Sequence, residues 1–147
     1  MVVFPISVSH GHRLAARRLL TRGGRLPISR MSLMAKLIDV WPTGFAQRLI
    51  DGMVRARFRE GMDKPSLIEP GRAYVYDLDL WNTCQLYQKG HRIRLEISSS
   101  AFPKYDRNLN TGEALGKTTR LQTAQQKIHH DREHLSYVLL PIVPRKP

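Results

Sequence analysis

Thiols, acids and long apolar runs are what this 147-residue chain has least of. Cys84 is its one cysteine, so no internal disulfide closes and no zinc site can draw two thiolates from the chain; a reducing compartment fits. Acidic residues number 12 against 24 Lys and Arg, a formal charge of +12. No apolar run approaches the roughly 20 residues of a membrane-spanning helix, so a soluble protein with no membrane partner is expected. The apolar opening MVVFPISV precedes the first arginines. That is the reverse of a secretory signal, and a cytoplasmic location is expected.

A basic excess of this size invites a nucleic-acid reading, because Lys and Arg that neutralise phosphates release counterions and supply sequence-independent affinity. Its placement argues otherwise. Up to residue 38, Arg13, Arg17, Arg18, Arg22, Arg25, Arg30 and Lys36 meet no acid at all. The excess is mainly a property of one end, and no nucleic-acid partner is expected. Residues 9–31 show no alternating pattern and one brief helix-like piece from Leu14 to Leu20. The break divides the chain into an atypical basic segment, 1–31, read as foreign to the fold that follows, and a domain, 32–147. A shifted reading frame in a GC-rich gene yields such Arg-rich, acid-free text; organellar transit peptides and basic arms share the composition.

What remains reads as short strands between turns. HRIRLEIS sets Ile93, Leu95 and Ile97 on one face and Arg92, Arg94 and Glu96 on the other, so a one-residue slip would expose the whole apolar set. VRARF, Val54 to Phe58, alternates in the same way. AYVYDLDLW puts Tyr74, Tyr76, Leu78 and Leu80 together, and LSYVLLPI is apolar on both faces, as a covered strand is. Pro42-Thr43-Gly44, Pro70-Gly71, Lys89-Gly90 and Asn110-Thr111-Gly112 separate these runs. Regular strand spacing predicts an all-β antiparallel sandwich, with short helices only at Phe45 to Ile50 and Thr118 to Lys127.

Four groups of residues invite a chemical reading. In IHHDREH, His130 and His134 would share a helical face with Glu133 beside them; the acids and Arg132 suit a solvated turn better, and no metal or other cofactor is expected. Ser98, Ser99 and Ser100 lack the glycines that present a nucleophile, and more simply satisfy backbone groups where a strand ends. Trp81, Tyr74, Tyr76 and Tyr87 would make a sugar-stacking platform only if they faced solvent. The corner from Ala101 to Gly112 combines the aromatics Phe102 and Tyr105, the stiff Pro103, the opposite charges Asp106 and Arg107, and the turn residues Asn108 and Asn110. Anchoring aromatics among oriented polar groups suit an interface with a neighbouring domain.

Three stretches resemble a known family: LMAKLIDVWPTG with DGMVRARFRE, then PGRAYVYDLDLWNTCQLYQKGHRIRLEISSSAFPKYDRNLNTG, then QTAQQKIHHDREHLSYVLLPIV. Together they are similar to the C-terminal domain of the X-prolyl dipeptidyl-peptidase and cocaine-esterase-like (CocE/NonD) serine hydrolases, from Leu33 to Val143. The resemblance implies a jelly-roll β-sandwich of galactose-binding-like type, incomplete here on its N-terminal side, packed on an α/β-hydrolase domain that shares its chain or comes from another. That partner would carry the Ser, Asp, His triad. The elbow G-x-S-x-G is nowhere in these 147 residues, so the chain is expected to be inactive alone, to have no catalytic residue, and to wall the substrate cleft. The cleft and interface residues would be Phe102, Pro103, Tyr105, Asp106, Arg107, Asn108 and Asn110. An incomplete sandwich also predicts homo-oligomers through exposed strand edges. The alternative is a stand-alone carbohydrate- or protein-binding module.

Overall fold

The structure is a computed structural model that describes residues 2–7, 19–23, 31–69, 72–111, 113, 116–134 and 136–140. Seven strands lie within them: β1 (Val2–Ser7), β2 (Leu19–Gly23), β3 (Ser32–Val40), β4 (Ala46–Arg55), β5 (Ala73–Tyr76), β6 (Arg92–Ser98) and β7 (Gln126–Ile128). They form a four-stranded sheet, β1-β6-β3-β4, and a three-stranded sheet, β5-β2-β7. Every pairing is antiparallel. The fold is an all-β sandwich, as the strand spacing predicts.

The alternation of β6 is realised: Ile93, Leu95 and Ile97 are buried while Arg92 is exposed. Beside it, Leu33, Ala35 and Leu37 of β3 face the same side, and both strands pack on Tyr76, Leu78, Leu80, Tyr87 and Ile68. Leu78 and Leu80 keep pointing inward although β5 itself ends at Tyr76. The opposite face of β3 is also covered, with Met34, Ile38 and Val40 buried. Flanked by β6 and β4, β3 is buried on both sides, which is why LMAKLIDV is apolar at nearly every position.

Several expectations need correction. Phe45 to Ile50 is not helical. The Trp41 N–H donates to the Phe45 carbonyl at 2.8 Å, and Gly44, at φ +90°, donates to the Trp41 carbonyl at 2.9 Å. That tight reversal sets Val40 opposite Ala46 and forces the following residues into β4. Strand VRARF stops early: β4 ends at Arg55, and Ala56–Phe58 is a 3-10 turn. Arg59 draws the chain round there by donating to the carbonyls of Ala56 at 3.2 Å and Ser66 at 3.0 Å. Residues 118–125 hold no helix, and 126–128 pair with β2 as β7.

The apolar run near the end is covered on one face only. Val138 and Leu140 pack on the core, whereas Tyr137 and Leu139 are exposed; Leu135, Pro141 and Ile142 lie outside the described residues, as do Pro70, Gly71, Gly112 and most of the basic segment. Two strands lie within residues 1–31, the second of them inside the stretch 9–31 that shows no alternation. β1 pairs along β6 from Val2↔Ile97 to Ser7↔Arg92, and β2 is the central strand of the smaller sheet. Among the described residues no helix is long and apolar enough to cross a membrane.

Candidate functional site

At the end of β6 the chain leaves the sheet and turns into the polar corner. The Ser98 hydroxyl donates to the Ser100 carbonyl at 3.1 Å, and the Phe102 N–H donates to the Ser100 hydroxyl oxygen at 3.4 Å. These serines cap a strand end, as their chemistry suggests. The Phe102–Pro103 bond is cis. Beyond it Tyr105 closes a turn onto the Ala101 carbonyl at 3.3 Å.

Two asparagines then fasten the corner to distant parts of the chain. Asn108 donates through Nδ2 to the Ser32 hydroxyl at 3.1 Å, and Asn110 through Nδ2 to the Gln122 carbonyl at 3.1 Å. Asn110 also gives its backbone N–H to Asn108 Oδ1 at 3.2 Å and adopts φ +57°, a left-handed setting that Asn tolerates better than most residues. Gln122 N–H returns a bond to the Leu109 carbonyl at 3.0 Å. A recess of about 230 Å³ results, lined by Ser99, Ser100, Arg107, Asn108, Asn110 and Leu121.

The seven candidate residues therefore divide. Asn108 and Asn110 brace the corner, Tyr105 is half-buried, and Phe102, Pro103, Asp106 and Arg107 are exposed. Phe102 is 64% exposed, and the Arg107 guanidinium lies 5.3 Å from its ring centroid. Although adjacent in sequence, Asp106 and Arg107 form no ion pair among the described residues.

Residues far away in sequence complete the picture. The Lys104 ammonium donates to the buried carboxylate of Asp51 on β4, which holds that lysine charged to higher pH than usual. Next to Asp51, Gly52 has no room for a side chain: a Cβ there would stand 2.1 Å from the Asp79 carbonyl oxygen. The segment Asp79 to Trp81 thus crosses β4 where the corner is tied down. Trp81 is 72% exposed and sits at φ +61°, its N–H held by Asp79 Oδ1 at 2.7 Å. A bulky residue in that region is a genuine outlier. Sequence reading missed Trp81 as part of this surface, and Asp-x-Trp ahead of a polar run was the only local signal.

The remaining candidates resolve differently. Tyr76 and Tyr87 are 1% and 2% exposed, so they belong to the core and offer no sugar platform. Burial and then the nearby Asp39 charge push the Tyr87 hydroxyl well above the ordinary tyrosine range. Asp39 is itself fully buried, accepting from Gln85 Nε2 at 3.2 Å and facing His91 Nδ1 at 3.0 Å. Tyr74 lies under the guanidinium groups of Arg59 and Arg72.

In IHHDREH no helix pairs His130 with His134. Instead His129, Asp131 and His134 converge, with one ligand-type atom from each within 4.8 Å of the others. Asp131 accepts the backbone N–H groups of Glu133 at 3.0 Å and His134 at 2.7 Å and faces both imidazoles. Desolvation by its neighbours pushes the carboxyl of exposed Asp131 up, but the hydrogen bonds from His134 and His129 outweigh it and bring it down to about 2. The cluster locks a turn.

Comparison with known proteins places this fold. Residues 29–139 match the family described as the X-Pro dipeptidyl-peptidase C-terminal non-catalytic domain. The chain is 46% identical over 113 residues to cocaine esterase of Rhodococcus sp. (strain MB1 Bresler), covering 76% of this chain and 20% of the esterase. Among solved structures it is similar to an aminopeptidase from a marine sediment Thaumarchaeota archaeon, with TM-score 0.83 and 25% identity over 97% of this chain and 26% of that one. An α-amino acid ester hydrolase aligns with TM-score 0.77 and 26% identity, over 97% of this chain and 25% of the hydrolase. The chain thus spans about a fifth to a quarter of the length of these relatives. On the strength of the match to residues 29–139, the chain belongs to the family of X-Pro dipeptidyl-peptidase C-terminal non-catalytic domains.

Proposed function

We propose that this chain is the accessory β-sandwich of a CocE/NonD-like serine hydrolase, a jelly roll of galactose-binding-like type that packs on an α/β-hydrolase domain and walls its substrate cleft. The observation that carries the reading is the scale of the match, with nearly the whole chain aligning to a small part of much longer hydrolases. Exposed Phe102 and Trp81, on segments anchored at adjacent β4 residues, supply rigid aromatic area of the kind that anchors interfaces. In the complete enzyme the reaction would be acyl transfer to water through a serine of the partner domain, on esters or on peptides with proline near the amino end. The contribution of this chain is mechanical: it covers apolar surface and shapes the cleft.

The test is a chimera in which the C-terminal fifth of the Rhodococcus esterase is replaced by this chain. The chimera is expected to be soluble and to hydrolyse an activated ester, whereas the esterase truncated at the same point loses that activity. A chimera no better than the truncated enzyme overturns the reading, as does turnover by this chain alone with labelling by a fluorophosphonate.

A further inference from the structure

The geometry points to the recess behind the corner as a carboxylate socket, built to take an Asp or Glu side chain of the hydrolase domain on Arg107. This deepens the proposed function and rests on it. Three observations lead here. First, Arg107 has no acidic partner among the described residues, and its one described contact is the Phe102 ring. The ring holds the guanidinium beside the recess without using any of its five N–H donors, and their fork matches a carboxylate in two places.

Second, the recess offers further donors. The Ser99 side chain makes no hydrogen bond to a described residue, and the Ser100 oxygen accepts from Phe102 N–H, which leaves its own O–H proton available. Asn108 and Asn110, whose amides are engaged with Ser32 and the Gln122 carbonyl, keep the floor in place. The site is therefore arranged before anything enters it, which lowers the entropy lost on docking.

Third, the charge balance names the occupant. Among the described residues Arg107 is the one charged residue lining the recess, which favours an acidic group there over a basic one, and complementary charge fixes register between packed surfaces. Exposed Leu121 lines the recess and exposed Phe102 stacks against Arg107, apolar groups that exclude water from the pair once a partner covers them. An acidic group carried by the rest of the enzyme satisfies all three observations.

The experiment uses the chimera described above with Arg107→Glu, Arg107→Lys and, as a control for bulk charge, Lys89→Glu in an exposed turn. Arg107→Glu is expected to speed thermal inactivation of the chimera by about tenfold or more, as when one partner of a covered charge pair is lost. Arg107→Lys should recover part of that loss, because it restores the charge but not the fork, and Lys89→Glu should behave as the parent. In the isolated chain, Arg107→Glu should leave the unfolding midpoint unchanged. An active chimera insensitive to Arg107→Glu, or equally sensitive to Lys89→Glu, overturns the socket while leaving the accessory-domain reading intact. Equal destabilisation of the isolated chain makes Arg107 structural and also overturns it. A chimera that fails to assemble overturns both.

Discussion

Strand β6 and the corner that follows it are continuous in sequence, yet they are ordered by different means. In β6 the period-2 pattern is enough: Ile93, Leu95 and Ile97 enter the core because the pleat sends alternate side chains to one face. In the corner no period operates. Its shape comes from single polar bonds to Ser32, Asp51 and Gln122, which stand far away along the chain. Apolar order is cooperative and tolerates small errors, whereas a corner held by separate hydrogen bonds loses its parts one at a time.

That contrast can be broken from the core side first. Gly52→Ala should have the largest effect, since the new Cβ would collide with the Asp79 backbone at 2.1 Å; loss of cooperative urea unfolding is expected, and a variant as stable as the parent would show that the two segments are not in contact. Leu95→Ala should come next, at about 2–5 kcal/mol for a buried leucine, read as a lowered urea midpoint at unchanged slope.

Smaller effects are expected where polar bonds rule. Asn108→Ala should cost about 0.5–1.5 kcal/mol, the usual worth of a hydrogen bond, and should loosen the corner without melting the sheets. Amide exchange would show it as faster exchange confined to residues 99–111, and equal acceleration in β6 would erase the distinction between the two regions. At Asp131 the carboxyl is held at about 2 in the folded protein, below its ordinary value near 4 when unfolded. Its stabilisation is therefore complete above pH about 4 and fades as the pH falls toward 2. Asp131→Asn should be less stable at neutral pH and flatter across that acid window. Arg107→Ala, smallest of all, should change the stability of the isolated chain by less than about 0.5 kcal/mol, as an exposed side chain outside the core does.

The legible parts of the molecule are those where a local rule and the tertiary fold agree. The alternation in HRIRLEIS, the inward set Tyr76, Leu78 and Leu80, and the strand-end role of the serines all follow from neighbours in sequence. Phe45 to Ile50 misled because its apolar spacing suits a helix, while the hairpin at Trp41 to Gly44 imposes an extended partner for β3. β2 was hidden for the opposite reason. As the middle strand of the smaller sheet it is defined by pairing with β5 and β7, and its own residues carry no alternation. For the candidate site, composition identified the corner, but Lys104 with Asp51 and the recess formed with Leu121 depend on contacts across the fold.

By itself the sequence determined the class of this protein: one cysteine, short alternating strands and turn residues leave an antiparallel all-β sandwich as the economical way to bury its apolar faces. It also marked the polar corner as something other than connecting chain. Only the tertiary structure decided which strands lie side by side, that the tyrosines Tyr76 and Tyr87 are core, and that Trp81 and Phe102 stand exposed on segments anchored to the same stretch of β4. The physical reason is range: side-chain alternation is set within a few residues, whereas sheet order and a recess between loops arise from groups that meet only when the chain has folded.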